Sequence, residues 1–412
     1  MLNKQVDYKL FFSVFALIIF WMVMISSVSV YSSFRVTSLL EKSGAIEEAY
    51  NHFYVIRNIT HVIISLVLLL FLVKIPYNIF EKYAKHFLVW NIFLMFYVLF
   101  FWTTWNWATW WINIPGLPFA IQPVEFLKFS LIIFLSYYFK KYSQKLKLFN
   151  EWFIPFFALL FFIVLILWLQ PDFWSIMIIV PVMVMMFFIA WGKIKYLWFF
   201  FILWLLLISF IYNSWKYDKT IPESRNKLSY ITDRIDNFIT DEKEQIAKKT
   251  INYQTEQALI AIWSWWFAWL GFWNSIQKYG YLPEVQWDFI FSVIIEELWF
   301  IWWLVILSFF TYIWYRWYYI SYYSSDLFAK FVAFWLTSWI LMQACINIGV
   351  NLNIVPLTGL TLPFVSYGWS SLISLTLALW LLLNISRYIE ISKWWRFNKN
   401  NSTFSNSRVN IY

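Results

Sequence analysis

Cysteine is almost missing from this 412-residue chain: the single one, Cys345, lies inside an apolar segment. That excludes a disulfide framework and a cysteine metal site. Histidine is nearly as scarce, and His52, His61 and His86 are too scattered to form a ligand set. Charge is short as well, at 13% of residues where a soluble domain carries about 25%. With 62% hydrophobic residues and a mean hydropathy of +0.63, this composition excludes a soluble protein and indicates an integral membrane protein. The formal net charge of +9 does not point to nucleic acid, because the basic residues fall in short clusters between apolar runs and topology accounts for them. Glycine is the oddest deficit: eight residues, where about 7% of a chain is usual. No internal repeat, low-complexity tract or appended soluble domain is evident.

What is present is a series of apolar runs of membrane-spanning length, about 20 residues being needed for a helix. Spans are expected near 11–30, 54–73, 87–102, 126–139, 153–169, 173–190, 196–212, 289–313, 331–350 and 369–385. The first is too long, and lacks the small-residue cleavage site, for a removable signal peptide. The expected fold is therefore an all-α integral membrane protein of about ten transmembrane helices. Residues 1–397 form one polytopic domain, 213–287 one long extracytoplasmic loop, and 398–412 a disordered tail. Lys140, Lys141, Lys145 and Lys147, then Lys193 and Lys195, then Arg387, Lys393, Arg396 and Lys399 all fall on one side of such a bundle. The positive-inside rule makes that side, and both termini, cytoplasmic.

The segment from Tyr253 to Leu298 is a turn-rich loop that runs directly into an apolar helix, with Asp288 where the two meet. A carboxylate at the membrane boundary has two readings. It caps the helix, since Asp suits an N-cap and the helix dipole, or it lines a polar cavity and does chemistry.

The residues around it carry a resemblance. The run Asn274 to Gln277, the YLPE of Tyr281 to Glu284, and the DFIF of Asp288 to Phe291 followed by Glu296, Glu297 and Leu298 closely resemble the SEDS family (shape, elongation, division and sporulation), the FtsW, RodA and SpoVE proteins. Gln122, Pro123, Val124, Glu125 and Lys128 resemble its QPSExxK motif, with Val124 in place of Ser. Gln170, Pro171 and Asp172 match its QPD, and Asn106 to Ile112 is similar to NGAxRWI, with Trp111 on the family's own Trp. Gln343, Asn347, Gly349, Pro356, Thr358, Gly359, Pro363 and Ser366 to Ser371 follow its NIG, PxTGLxLPF and SYGGSS pattern. The NSxQK and YLPE run leans towards FtsW rather than RodA, although Thr358 stands where FtsW proteins often have Lys.

The resemblance implies a ten-helix peptidoglycan glycosyltransferase of the bacterial cell membrane, working on lipid II in division or elongation. It makes Asp288 the catalytic carboxylate, with substrate contacts from Glu125, Lys128, Asp172, Trp111, Gln277 and Ser370. It also implies a class B penicillin-binding transpeptidase and other division or elongation proteins as partners. No cofactor is fixed: the leaving diphosphate can be neutralised by Lys128, by Arg225 or Arg234, or by a divalent cation such as Mg2+ or Mn2+. Each motif also has a plainer reading. Glu125 and Lys128 suit a structural ion pair, Asp172 ordinary turn chemistry, Trp111 an interfacial belt, and Glu296 and Glu297 buried structural roles. Ten helices with intramembrane charge would also suit a lipid flippase, though no half-to-half repeat supports one, or a non-catalytic division scaffold; only the enzyme needs a general base at Asp288.

Against its eight glycines the chain has 31 tryptophans, five of them within Trp263 to Trp273. Laid over the family pattern, WSWWFAWLGFW stands where GSGGFAGLGFG is expected, and Trp174 and Trp369 also stand on glycine positions. Forcing a large side chain into a packed site costs about 1–3 kcal/mol. Ten such residues would exceed a native margin of about 5–15 kcal/mol. The expectation is that many of these codons are UGA read as glycine in the cell.

Overall fold

In the computed structural model the described residues are 6–101, 111–113, 120–142, 149–170, 172–191, 253–264 and 271–389, with 202 and 209 as isolated positions. They form twelve α-helices: α1 Tyr8–Val28, α2 Val30–Lys42, α3 Phe53–Leu72, α4 Asn78–Lys82, α5 Ala84–Phe101, α6 Pro123–Tyr142, α7 Phe149–Leu169, α8 Phe173–Trp191, α9 Tyr253–Ser264, α10 Ile290–Tyr323, α11 Leu327–Asn351 and α12 Trp369–Ser386. A short antiparallel ladder pairs Ile112 with Ile121 and Asn113 with Ala120. Nine of the ten expected spans coincide with helices. Apart from the isolated positions 202 and 209, the expected span 196–212 lies outside the described residues, as do the charged half of the loop (216–249) with Arg225 and Arg234 and the tail 398–412.

By length and composition, α1, α3, α11 and α12 can each cross a membrane, and α5, α7 and α8 hold shorter apolar stretches. α10 is longer than the apolar run announced. The expected span ends at Ile313; the helix continues to Tyr323, and within that extension Arg316 Nη2 pairs with Asp7 Oδ2 at 2.5 Å. The helices pack on an α10–α11 centre flanked by α1, α6, α8, α9 and α12. Nearly every residue of α12 is buried, its serines and Asn384 included.

The bundle has two polar ends. At one, Lys140 bridges Glu81 and Asp326, each at 2.7 Å, and Asn384 Oδ1 accepts from the Tyr77 amide, tying α6, α4, α11 and α12 together. At the other end gather the starts of α3, α6, α8, α10 and α12 and the last turns of α1 and α11. The candidate site lies there.

The tryptophans sit uneasily. Trp273 has φ +73, a left-handed conformation that a bulky residue rarely adopts. The indole Nε1 groups of Trp21, Trp317, Trp335 and Trp380 are buried with no hydrogen-bond acceptor. Each such orphaned donor costs about 1–3 kcal/mol.

Candidate active site

Asp288 is half-buried at the entrance to α10. The N-cap position falls on Phe289, so Asp288 stands one residue outside it. A tight turn brings it there: the amides of Trp287 and Asp288 both donate to the Glu284 carbonyl, at 3.0 and 3.2 Å. Its own carbonyl accepts from Asn347 Nδ2 at 2.9 Å and Asn351 Nδ2 at 3.0 Å. Those asparagines are four apart on α11 and so present one face to α10. Asn351 Oδ1 also receives the Ser292 amide and hydroxyl, at 3.2 and 2.7 Å, which satisfies a donor left open in the first turn of α10. Beside the carboxylate runs Gly359, at φ +71; a Cβ there would stand 3.5 Å from Asp288 Oδ2. Glycine thus supplies the left-handed backbone and keeps the space beside Asp288 open.

The second polar group is on α6. Pro123 opens that helix, where its missing N–H costs nothing, and Glu125 sits in the first turn, near the positive end of the helix dipole. Lys128 Nζ lies 2.6 Å from Glu125 Oε1, and both side chains are buried, at 3% and 6% exposure. Glu125 Oε2 meets Ser374 Oγ at 3.4 Å, while Lys128 reaches Gln343 Oε1 at 3.4 Å. The Gln343 amide in turn donates to the Thr361 carbonyl at 3.0 Å. The segment from Gly359 to Thr361 therefore borders Asp288 at one end and is tied towards Lys128 at the other. A carboxylate and a buried ammonium flank one loop.

The other expected residues divide. Asp172 is a helix cap: it accepts the Ser175 amide and hydroxyl at 3.1 and 2.8 Å, while Lys128 and Glu125 are the charges that act on it. Ser370 latches the entrance of α6, accepting from the Gln122 amide at 2.9 Å and meeting the Ala120 carbonyl at 3.2 Å. Gln277 is buried in a 3-10 turn, its Oε1 without a hydrogen-bond partner. Trp111 is exposed next to the short ladder. On the rim, partial burial pushes the Glu284 carboxyl up, against the pull of Arg35. Burial likewise moves the Tyr367 phenol to about 12 against the pull of Arg57, so it stays protonated.

Sequence reasoning passed over Asn351 and the joining of Lys278 to Glu297 at 2.8 Å. The signal for the second was there: two adjacent glutamates in an apolar helix need a partner, and Lys278 is the nearest preceding cation in the loop.

The chain matches the cell cycle protein family of FtsW, RodA and SpoVE over residues 8–391. It belongs to this family. Stage V sporulation protein E of Bacillus subtilis is 30% identical over 82% of this chain and 87% of its own length. The probable peptidoglycan glycosyltransferase FtsW of Wigglesworthia glossinidia brevipalpis is 31% identical over 95% and 96%. Among solved structures, a chain of a peptidoglycan synthase complex that coordinates polymerization and crosslinking superposes with a TM-score of 0.70 at 22% identity, covering 93% of this chain and 98% of that one. The rod shape determining protein RodA of Thermus thermophilus gives 0.60 at 20% identity, over 93% and 98%. Family members thus share this fold along nearly the whole chain, which is a membrane protein.

Proposed function

We propose that this chain is a peptidoglycan glycosyltransferase that polymerises lipid II, with Asp288 as general base. The observation that carries this reading is the placement of the Asp288 carboxylate, beside the open backbone of Gly359 and braced through its own carbonyl by Asn347 and Asn351. The relatives named peptidoglycan glycosyltransferase FtsW support the reaction class.

Asp288 takes the proton of the acceptor sugar's hydroxyl as that oxygen attacks the donor's anomeric carbon. The bond from that carbon to the phosphate oxygen breaks, undecaprenyl diphosphate leaves with the electron pair, and Asp288 returns its proton to solvent. Diphosphate leaves well without a carboxylic acid, unlike the alcohol in glycoside hydrolysis. A positive charge must meet it instead, and Lys128 of α6 is the buried ammonium tied through Gln343 to the loop beside Asp288. Glu125 pairs with that ammonium, and Asp172 and Ser370 hold the α8 and α6 entrances around it. Gln277 and Trp111 are further substrate contacts in this reading. Among the described residues no three His, Cys, Asp or Glu side chains gather as metal ligands; a divalent cation here would be held chiefly by the diphosphate.

The Asp288 end faces outward, and the end bearing Lys140 and Arg387, with both termini, faces the cytoplasm. The partner is a class B penicillin-binding transpeptidase that crosslinks the new strand, in a division or elongation complex. Lipid II polymerisation by the reconstituted chain with its transpeptidase tests the reading. Asp288→Ala should lose at least about a hundredfold in rate, the scale of a lost general base, while remaining folded. Undiminished polymer from the variant would remove the base. No polymer from the wild type would favour a flippase or scaffold.

A further inference from the structure

Below Asp288 lies a buried cluster that the proposed chemistry does not use. Lys278 and Glu297 are 2% and 0% exposed, with Nζ 2.8 Å from Oε1. The ammonium also donates to Ser27 Oγ of α1 at 2.9 Å and to the Trp273 carbonyl, so its three donors are all used. Ser27 in turn donates to Glu297 at 2.6 Å. The neighbouring Glu296 reaches the same loop, accepting from Ser275 Oγ at 2.5 Å and the Ile276 amide at 3.1 Å. Two successive carboxylates on α10 thus bind the beginning of the loop whose end carries Asp288. Loop, helix and carboxylates form a closed circuit, and Asp288 is the point where the loop turns into the helix.

We propose that Lys278, Glu297 and Ser275 are positioning residues, which fix the depth and aim of Asp288 by fastening the preceding loop to α10; this rests on Asp288 being the base. An apolar contact would hold the loop with equal strength but would let it slide, whereas a saturated ammonium and two carboxylates admit one register. Replacing both members of a buried ion pair by apolar residues usually preserves stability, and this separates aim from mere cohesion. In the double variant Lys278→Met/Glu297→Leu, and separately in Ser275→Ala, kcat for lipid II polymerisation should fall at least tenfold while KM stays within twofold and the melting temperature is retained. Amide hydrogen exchange across 285–291 should rise in both variants while α11 stays protected. That readout needs no turnover, so it still tests the fastening if the wild type polymerises nothing. Unchanged kcat and unchanged exchange in Ser275→Ala would overturn the proposal, as would parallel losses of kcat and folding in both variants.

A second inference rests on different observations. Trp273 occupies a left-handed backbone position, and Trp21, Trp317, Trp335 and Trp380 bury indole donors without acceptors. Trp339 differs: its Nε1 donates to Gln343 Oε1 at 3.1 Å, and its ring lies 5.3 Å from the Lys128 ammonium. We infer that the first five are glycine in the protein made by its own cells, from UGA codons, and that Trp339 is tryptophan. At four helix positions glycine would let neighbouring backbones approach closely. Mass spectrometry of peptides from protein purified from its native cells should give glycine masses at 21, 273, 317, 335 and 380 and a tryptophan mass at 339. An indole mass at 273, or glycine at 339, would overturn this sorting.

Discussion

Two buried ion pairs stand near Asp288, and they differ in how fully their ammonium groups are used. Lys278 has three acceptors at hydrogen-bonding distance, drawn from α1, the loop and α10. Lys128 has one short contact, to Glu125 three residues away on the same helix, and a long one of 3.4 Å to Gln343. A saturated cation fastens. One with donor capacity to spare can meet an incoming phosphate oxygen, so the same chemistry serves cohesion in one place and a substrate in the other.

The largest effect that would sharpen this contrast is on folding. Lys278→Ala leaves the buried Glu297 carboxylate without its cation and should cost about 3–5 kcal/mol, read as a fall in melting temperature and in monodisperse yield. If the variant is as stable as the wild type, the pair is not a fastener. Lys128→Ala should lose about a hundredfold or more in polymerisation rate, on the scale of a lost charge-stabilising donor. Its loss of stability should be smaller than for Lys278→Ala, because Lys128 gives up one short contact where Lys278 gives up three. Equal stability losses for the two lysines would erase the distinction. Asp172→Ala should cost about 1 kcal/mol, the usual value of an N-cap. If rate falls much further than stability, Asp172 does more than cap α8. The smallest effect is expected from Ser370→Ala, about 1 kcal/mol for a lost hydrogen bond to the Gln122 amide, with KM for lipid II rising only if the α6 entrance shifts.

The Glu125–Lys128 pair could be read from the sequence because residues three apart on a helix are neighbours whatever the rest of the fold does. Asp288 was legible for a related reason: the change from turn-rich loop to apolar helix marks its place in the chain. The helices themselves were announced by apolar length, but the continuation of α10 past Ile313 was not, since Arg316 in that extension meets Asp7, 309 residues away. The bracing of Asp288 by Asn347 and Asn351 was not legible, since nothing local says which carbonyl an asparagine on another helix will reach. Asp172 and Ser370, expected as substrate contacts, also hold helix entrances, roles that depend on Ser175 and Gln122 standing opposite them.

By itself the sequence determined that this protein lives in a membrane, how its helices divide the chain, and which local pairs and motifs it carries. Composition, run length and helical spacing are properties of the chain alone. Only the tertiary structure decided that the loop from Gly359 to Thr361 joins Asp288 to the Lys128 cluster, and that Lys278 is spent on Glu297. Those contacts link residues far apart in the chain, and packing the helices is what brings them together.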